Sequence, residues 1–371
     1  MVIYNNILIL TKNKNNIIIE SQYHDGFEKM KQIYTKDENL MPFIEQINVI
    51  SHIYINKKDH NKNIIHIGMS LDNKYAFIIL VSMESILINC KKNETFIKFH
   101  LLCNPDVKDA SILKIKSLIY KYSSNTELTF YSMGNNFKEK KNFRSQATYY
   151  RLLLPIFIDS DRIIYLDGDT LTLKDLTEMY YSNFYNNYVL GFLGIASSGL
   201  DYLGIKANNW INAGVLLLNL KQIREDNKCF DLLNITKNGV NLKNDDNTVI
   251  NYAFYPKIGK LPIKYGIFNF YDKHDIERYS KFLRQKINIS EYEETLKDPG
   301  LIHNILCLPK VWYNNSNYIK QWTYCEKRNN CSCEKFHKLW HYYAKKSILY
   351  YEILDNLNKI FKYALKKIYF K

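Results

Sequence analysis

The strongest constraint on the fold is an alternation of short apolar runs with helix-like segments between residues 63 and 166. Apolar residues recur at helical spacing between the runs, and the runs themselves are predicted strands. The predicted strands are 64–69, 97–102, 128–131 and 162–166, and the predicted helices are 75–88, 110–120 and 147–158. This alternation is typical of an α/β fold, a mostly parallel sheet with helices on both faces.

Acidic residues follow two of these predicted strands. Asp72 comes shortly after the first strand, and Asp167-Gly168-Asp169 directly follows the fourth. Ligands of parallel sheets bind beyond the carboxyl ends of the strands. Two carboxylates one residue apart can hold one hard divalent cation, which leaves room for substrate phosphates. The alternative is a solvated turn, because Asp and Gly both favour turns.

The composition narrows the class of partner. Hydrophobic residues make up 46% of the 371 residues, so the chain can bury a large core and is not expected to be disordered. Lys and Arg number 51 against 37 Asp and Glu, a net charge of +14 that favours polyanionic partners. Only seven of these cations are Arg, and no reader motif accompanies them, so nucleic acid is not the expected partner.

Cysteine usage and hydropathy indicate the compartment. The seven cysteines are an odd number and mostly lie in apolar stretches, which favours free thiols in a reducing compartment. Cys325, Cys331, Cys333 and His337 form a cluster whose spacing matches no standard zinc finger, so free thiols are preferred there over zinc. With no apolar span of 18 residues and no secretory signal pattern, the chain is expected to be cytoplasmic.

Further motifs surround the acidic pair in a fixed order. They are DNKY at 72–75, YYRLLLP at 149–155, DRIIYLDGDTL at 161–171, NAGVLLLNL at 212–220, DNTVIN at 246–251, LPIKY at 261–265, and His303 with PKVW at 309–312. Together they resemble glycosyltransferase family 8, which contains lipopolysaccharide galactosyl- and glucosyltransferases and glycogenin. The resemblance covers about residues 63 to 315. It implies a GT-A fold, a UDP-sugar donor, dependence on Mn²⁺ and retention of the anomeric configuration.

The resemblance also implies roles for single residues. Asp167, Asp169 and His303 would ligate Mn²⁺, with Mg²⁺ as the alternative ion. Asp72 and Tyr75 match the positions that contact the uracil, although Asp72 is also placed to cap a helix and Tyr75 to pack. The other predicted contacts to the nucleotide sugar are Arg151, Asp167, Gly168, Asn212, Ala213, Gly214, Asp246 and Lys310.

Three residues are predicted to act on the reacting sugar: Arg151, Asp246 and Asn247. Asn247 departs from the family pattern, which has the longer Gln at this position. Three of the predicted contacts have a structural alternative: an ion pair for Arg151, a strand entry for Asn212 and a solvated surface for Lys310. The spacing from His303 to Lys310 is one residue longer than usual, so the phosphate-facing loop is expected to differ locally.

We divide the chain into three parts. Residues 1–62 are an appendage of unknown role, residues 63–315 the catalytic domain, and residues 316–371 a basic helical tail. Apolar residues recur at helical spacing across 357–368 with lysines between them, which predicts a helix lying on an anionic membrane surface. The alternative is a helix docked on the catalytic domain.

The predicted function is transfer of galactose or glucose from UDP-galactose or UDP-glucose to a glycan or glycolipid acceptor. The acceptor is expected to be of the lipopolysaccharide or lipooligosaccharide type, at the inner face of the membrane. Because no carboxylate is an unambiguous nucleophile, same-face attack is the preferred route to retention. Two alternatives remain: a glycogenin-like protein that glucosylates itself, and a degenerate module that only binds sugar nucleotide or glycan.

Overall fold

The computed structural model describes most of the chain N-terminal to residue 305 and one helix after it. The described residues are 2–4, 7–13, 16–55, 63–91, 94–122, 125–139, 145–193, 204–238, 245–268, 277, 280–281, 287–304 and 332–347. Lys310 and the cysteines at 325 and 331 lie outside these residues, as does the predicted membrane helix at 357–368.

The described strands form one eleven-stranded sheet and one three-stranded sheet. In chain order the strands are β1 Val2–Tyr4, β2 Ile7–Asn13, β3 Asn16–Ser21, β4 Asn48–Ile55, β5 Asn63–Leu71, β6 Thr95–Cys103, β7 Thr126–Ser132, β8 Ile163–Leu166, β9 Thr170–Thr172, β10 Val189–Leu193, β11 Ile211–Leu218, β12 Ile258–Lys260, β13 Ile267–Phe268 and β14 Leu301–His303.

Helices cover the sheet. The α-helices are α1 Asp25–Tyr34, α2 Met41–Ile44, α3 Ala76–Asn89, α4 Asp109–Lys121, α5 Leu154–Phe157, α6 Thr177–Tyr180, α7 Leu220–Glu225, α8 Lys228–Asn238, α9 Asp245–Phe254, α10 Ile289–Lys297 and α11 Ser332–Lys346. Short 3₁₀ helices occupy Gln146–Leu153, Ala207–Asn209 and Ile263–Tyr265.

The large sheet is parallel at its centre. Its order is β1-β2-β3-β4-β7-β6-β5-β8-β11-β10-β12, and β7, β6, β5 and β8 run parallel to one another. Side chains alternate between two apolar cores: Ile164 and Leu166 of β8 face one, and Ile163 and Tyr165 face the other. The predicted α/β fold, with a sheet flanked by helices, is confirmed.

The flanks of the sheet are mostly antiparallel, apart from the parallel pair of β10 and β12 at one edge. On one side β4 pairs with β7, and β3, β2 and β1 follow it in antiparallel order. On the other side β11 pairs antiparallel with both β8 and β10. The strands of the N-terminal appendage therefore extend the central sheet, while the predicted boundary after residue 62 falls in a segment outside the described residues.

The predicted helix over 147–158 is not continuous. A 3₁₀ helix, Gln146–Leu153, is followed by the single turn of α5. Pro155 has no N–H to donate to the carbonyl of Arg151, and that carbonyl instead accepts from the N–H of Leu154, one residue earlier. Pro155 thus accounts for the missing α-helical hydrogen bond at the junction of the two segments.

Helix α3 is buried along most of its length, with residues 76–87 all buried. Its Glu84 carboxylate accepts hydrogen bonds from Lys121 Nζ and Tyr122 Oη, both at 2.7 Å, so the buried charge is paired. Helix α11 packs against α3, where Tyr343 Oη accepts from Asn89 Nδ2 at 2.8 Å. None of the described helices combines the length and apolar character needed to cross a membrane.

Four histidines form a polar group next to the N-terminus of α1: His24, His52, His66 and His100. His24 Nδ1 accepts a hydrogen bond from the N–H of Phe27 and so caps α1. His66 Nδ1 lies 2.9 Å from His100 Nε2, and the His24 and His52 rings are 4.6 Å apart. The group joins the N-terminal strands to the central sheet, because His52 lies on β4 and His66 on β5.

Burial keeps these four rings neutral. It lowers the pKa of His24 to about 4 and the pKa values of His52 and His66 to about 3, and the positive charge of Lys98 acts in the same direction. The pKa of His100 lies well below its usual value, again chiefly because the ring is buried. At neutral pH all four imidazoles are therefore uncharged in the folded protein.

We expect the free energy of unfolding to fall as the pH drops below 6.5, the usual histidine pKa, toward the folded values near 4 and 3. In that window the unfolded chain takes up protons that the folded protein cannot, at a cost of about 1.4 kcal/mol per histidine and pH unit. Urea unfolding at about pH 7.5 and about pH 5 measures this. His66→Gln should reduce the slope by about one histidine's share, and a pH-independent free energy would contradict the prediction.

Candidate functional site

Three metal-ligand side chains meet beyond the carboxyl end of β8. Asp167 follows β8, Asp169 precedes β9, and His303 ends β14, with all their ligand atoms within 4.8 Å of one another. His303 Nε2 lies 3.1 Å from Asp169 Oδ1 and 3.7 Å from Asp167 Oδ2. The small sheet brings His303 here, because it pairs with Thr170 in the β9–β14 ladder. The structure thus brings the three predicted metal ligands together.

The donor set and the backbone around it fit a divalent cation. Two carboxylates and one imidazole nitrogen converge, a combination that suits Mn²⁺ and similar ions. Gly214 of β11 passes so close that a Cβ there would come 2.5 Å from Asp167 Oδ2 and would overlap the His303 ring. The Gly214 carbonyl accepts from the N–H of Asp167 at 2.8 Å, so this approach is fixed by a backbone hydrogen bond. Only glycine fits here.

A second group of histidines and a carboxylate, His24, His52 and Glu127, also lies within 4.8 Å. His24 Nδ1 accepts from Phe27 N–H, so the neutral ring carries its proton on Nε2, the atom that faces Glu127. The Lys98 ammonium already lies 3.2 Å from Glu127 Oε2. A cation would have to displace both the proton on His24 Nε2 and the ammonium group of Lys98, so this group fits a metal poorly.

Arg151 is buried at the centre of the site. Its Nη2 donates to Asp167 Oδ1 at 2.8 Å, its Nε lies 3.3 Å from Asp246 Oδ2, and its Nη1 donates to the carbonyl of Ala213. The guanidinium carbon stacks 4.2 Å from the centre of the Tyr165 ring. Burial works to lower the pKa of Arg151, but the two carboxylates outweigh it and raise this pKa further, so the charge is permanent.

The predicted sugar-binding strand lies against this arginine. Asn212 Oδ1 accepts from the N–H of Gly214, and Asn247 Oδ1 accepts from the N–H of Ala213, both at 2.8 Å. Asp246, at the start of α9, is buried next to Arg151. The structure therefore places Arg151, Asp246 and Asn247 with this strand, and their predicted catalytic roles stay predictions.

Asp72 and Tyr75 lie beyond β5, the parallel neighbour of β8. Asp72 Oδ1 accepts from the N–H groups of Lys74 and Tyr75, both at 3.0 Å, in the turn before α3. The N-cap position of α3 is Tyr75 and carries no side-chain capping bond, so Asp72 is not the helix cap that the alternative predicts. Tyr75 is 42% exposed, so its ring is not packed in the core, as the structural alternative would require. A Cβ on Gly168 would approach Ile79 Cγ1 to 2.7 Å, so this glycine lets α3 pack against the acidic turn.

Two residues of the site are not predicted from the sequence. Tyr165 was part of a predicted strand but supplies the ring beneath Arg151. Asn251 was part of a motif but was assigned no role, although its side chain bonds to both the N–H and the carbonyl of Ile211. The four-residue spacing from Asn247 places both amides on one face of a helix, a signal that the sequence contains.

Comparison with known proteins agrees with this geometry. The sequence model described as Glycosyl transferase family 8 matches residues 66–305. A putative glycosyltransferase from Haemophilus influenzae is 29% identical over 196 residues, which cover 51% of this chain and 56% of that protein. Glycosyltransferase GlyE from Streptococcus pneumoniae is 25% identical over 53% of this chain and 47% of its own length. The chain thus spans about half the length of these curated relatives.

Solved structures share the fold. The bifunctional glycosyltransferase WbbM superposes with a TM-score of 0.63 at 19% identity, over 82% of this chain and 53% of that one. Galactosyltransferase LgtC, solved with donor and acceptor sugar analogs, superposes with a TM-score of 0.54 at 19% identity, over 74% of this chain and 95% of that one. Both have the GT-A fold that the sequence predicts. Since the family model covers well over half of its residues, this chain belongs to glycosyl transferase family 8.

Proposed function

We propose that the protein is a retaining hexosyltransferase that moves galactose or glucose from a UDP-sugar to a glycan acceptor. The observation that carries this proposal is the convergence of Asp167, Asp169 and His303 at the carboxyl edge of the sheet, with Gly214 in contact with them. Family membership and the GT-A fold support it. Asp72 and Tyr75 at the neighbouring strand end would bind the uracil.

Asp167, Asp169 and His303 would hold a Mn²⁺ or Mg²⁺ ion, which when bound stabilises the negative charge of the departing diphosphate. Arg151 would fix Asp167 in the orientation needed for this and keep Asp246 ionised as an acceptor for sugar hydroxyls. Because Asn212 Oδ1 already accepts from Gly214, the side chain of Asn212 would offer the sugar its N–H groups. Lys310, outside the described residues, is proposed to face the phosphates.

We propose same-face attack for the reaction. The acceptor hydroxyl would approach the anomeric carbon on the side from which the diphosphate leaves, and its proton would pass to the departing phosphate oxygen. The sugar would lie beside Asp246 and the Asn212–Gly214 strand, with water excluded so that the donor is not hydrolysed. Asp246 is itself buried, which fits a dry site.

We further propose a lipopolysaccharide- or lipooligosaccharide-type acceptor at the cytoplasmic face of the membrane. The support is the basic, apolar pattern at residues 357–368 and the charge of +14, both read from the sequence. A glycogenin-like protein would instead transfer glucose to itself, and a degenerate module would release no UDP. A screen of UDP-galactose and UDP-glucose with Mn²⁺, scored by UDP release and by label on the protein, separates the three.

Asp167→Asn and Asp169→Asn should each lower the rate of sugar transfer by at least about a hundredfold, because an amide removes ligand charge that the diphosphate complex needs. His303→Ala should show the same defect, partly relieved at high Mn²⁺. The measurement is UDP release at saturating Mn²⁺, with Asp161→Asn at the far end of β8 as the matched control. Wild-type turnover in both carboxylate variants would remove the metal hypothesis.

Gly214→Ala should weaken Mn²⁺ binding by at least about tenfold, because its new methyl group displaces His303 and Asp167 from one another. Titration calorimetry with Mn²⁺ alone measures this without any substrate. Gly26→Ala, which adds a methyl group at a glycine beside Asp159 and away from the site, is the control. Equal affinity in Gly214→Ala and wild-type protein would mean that the cation does not sit between these ligands.

Deleting residues 355–371 should release the protein from anionic vesicles and spare transfer to a soluble acceptor. Each lysine near an anionic surface contributes about 1 kcal/mol to the free energy of membrane binding, and burial of the apolar face of the helix adds to it. Cosedimentation with vesicles at low and high salt measures this, and added salt should weaken binding of the full chain. A truncated protein that still cosediments, or that loses its fold, would show that this segment is not the membrane anchor.

A further inference from the structure

Strand β11 has a gap in its backbone pairing at the proposed sugar site. Its ladder with β10 jumps from Gly191↔Leu216 to Phe192↔Asn212, and its ladder with β8 begins at Val215↔Leu166. Ala213 and Gly214 therefore belong to neither ladder among the described strands. Buried backbone groups need hydrogen-bond partners, so others must serve this segment.

Helix α9 serves one group in this gap, the N–H of Ala213, and both backbone groups of the flanking Ile211, through two side-chain amides. The remaining gap groups bond to Asn212, Arg151 and Asp167. Asn247 Oδ1 accepts from the N–H of Ala213 at 2.8 Å. Asn251 Oδ1 accepts from the N–H of Ile211 at 2.9 Å, and its Nδ2 donates to the Ile211 carbonyl at 2.9 Å. The same Nδ2 donates to the Asn247 carbonyl at 2.8 Å, which connects the two asparagines. Asn251 is fully buried.

The distance between the two asparagines along α9 matches the distance between alternate residues of a β-strand. Four residues of an α-helix rise about 6 Å, and two residues of a β-strand rise about 6.6 Å. Residues 247 and 251 on α9 can therefore face residues 213 and 211 on β11 with one amide each. In this way α9 takes the place of the missing neighbouring strand.

We propose that Asn247 and Asn251 are positioning residues, which hold Ile211–Gly214 at the place where Asn212 meets the donor sugar and Gly214 meets the metal ligands. The inference deepens the proposed function and rests on it for the identity of the sugar. A shift of this strand would move Asn212 and would also disturb Asp167, which bonds to the Gly214 carbonyl. The two amides thus act on the reaction through the strand they hold.

This role differs from the catalytic role that the sequence predicts for Asn247. Only the side-chain oxygen of an asparagine can accept from a backbone N–H, and Ala213 engages that oxygen. One lone pair of that oxygen thus serves the strand, and the N–H₂ group of Asn247 is a donor that cannot stabilise a positively charged anomeric carbon. The shorter side chain of Asn, where the family has Gln, suits this close contact between α9 and β11.

The first test is hydrogen exchange, which needs no substrate. In Asn251→Ala the amide of Ile211 loses its acceptor, and in Asn247→Ala the amide of Ala213 does. We expect exchange in peptides spanning 209–216 to become about tenfold faster, the effect of losing about 1.4 kcal/mol of protection. Asn247→Asp keeps an acceptor oxygen for Ala213 and should restore slow exchange there.

Asn125→Ala is the matched control. Asn125 is also buried, but it precedes β7 at the opposite end of the sheet, where its Nδ2 donates to Cys90 Sγ at 3.2 Å. This variant should leave exchange in 209–216 unchanged. Unchanged exchange in both α9 variants, or equal acceleration in Asn125→Ala, would overturn the assignment. Should Asn251→Ala fail to fold, Asn247→Ala tests the same contact with a single lost hydrogen bond.

The second test is turnover of the UDP-sugar that the wild type accepts. We expect kcat of Asn251→Ala to fall at least about tenfold while affinity for uridine, which lacks the diphosphate, stays unchanged, because the predicted uracil contacts Asp72 and Tyr75 lie beyond β5. Unchanged kcat and KM together with faster exchange would refute the positioning role. A wild type that turns over no UDP-sugar would refute the proposed function instead, and the exchange result would still decide whether the amides hold the strand.

Discussion

The buried guanidinium of Arg151 is the interaction on which the arrangement of the site depends. It connects a carboxylate after β8, a carboxylate at the start of α9 and a carbonyl of β11. A buried charge must be paired, and leaving one such partner unpaired costs about 3–5 kcal/mol. The three segments are therefore held in one arrangement, because moving any of them would remove a hydrogen bond or an ion pair from the buried guanidinium. The stacked Tyr165 ring covers the remaining face of the guanidinium.

The surrounding fold makes this pairing possible. Parallel strands β5 and β8 end side by side, so their following residues share one edge of the sheet. The small sheet then carries His303 to Asp169 across 134 residues of chain. Glycine at 214 completes the arrangement, since the backbone can approach the ligands only without a Cβ. Pairing between strands that are distant in the sequence therefore assembles the proposed metal site.

The N-terminal strands add a different kind of dependence. They extend the sheet beyond β7, and their contact with the central strands includes four imidazoles kept neutral by burial. Burying neutral histidines lowers the stability of the folded state at acidic pH, because the unfolded chain then binds protons that the folded protein does not. The stability of this part of the fold therefore depends on pH. The predicted metal ligands lie elsewhere, after β8 and on the small sheet, where His303 pairs with Thr170.

Much of this architecture can be read from local patterns. Apolar periodicity predicted the strands and helices between residues 63 and 166, because burial on both faces of a parallel sheet leaves continuous apolar runs. The exception was 147–158, where Pro155 removes a helix hydrogen bond. The ordered motifs also predicted Asp167, Asp169 and His303 as one group, and the structure brings them together.

Pairing between distant segments could not be read in this way. Residues 1–62 are predicted only as an appendage of unknown role, and nothing in their sequence identifies β7 as the partner of β4. Asn247 and Asn251 are four residues apart, a helical spacing that the sequence shows. Their bonds to the backbone of β11, however, are possible only because part of this strand lacks a neighbouring strand. Side-chain periodicity is a local property of the chain, whereas the partner of a backbone hydrogen bond is determined by which segments the whole fold brings together.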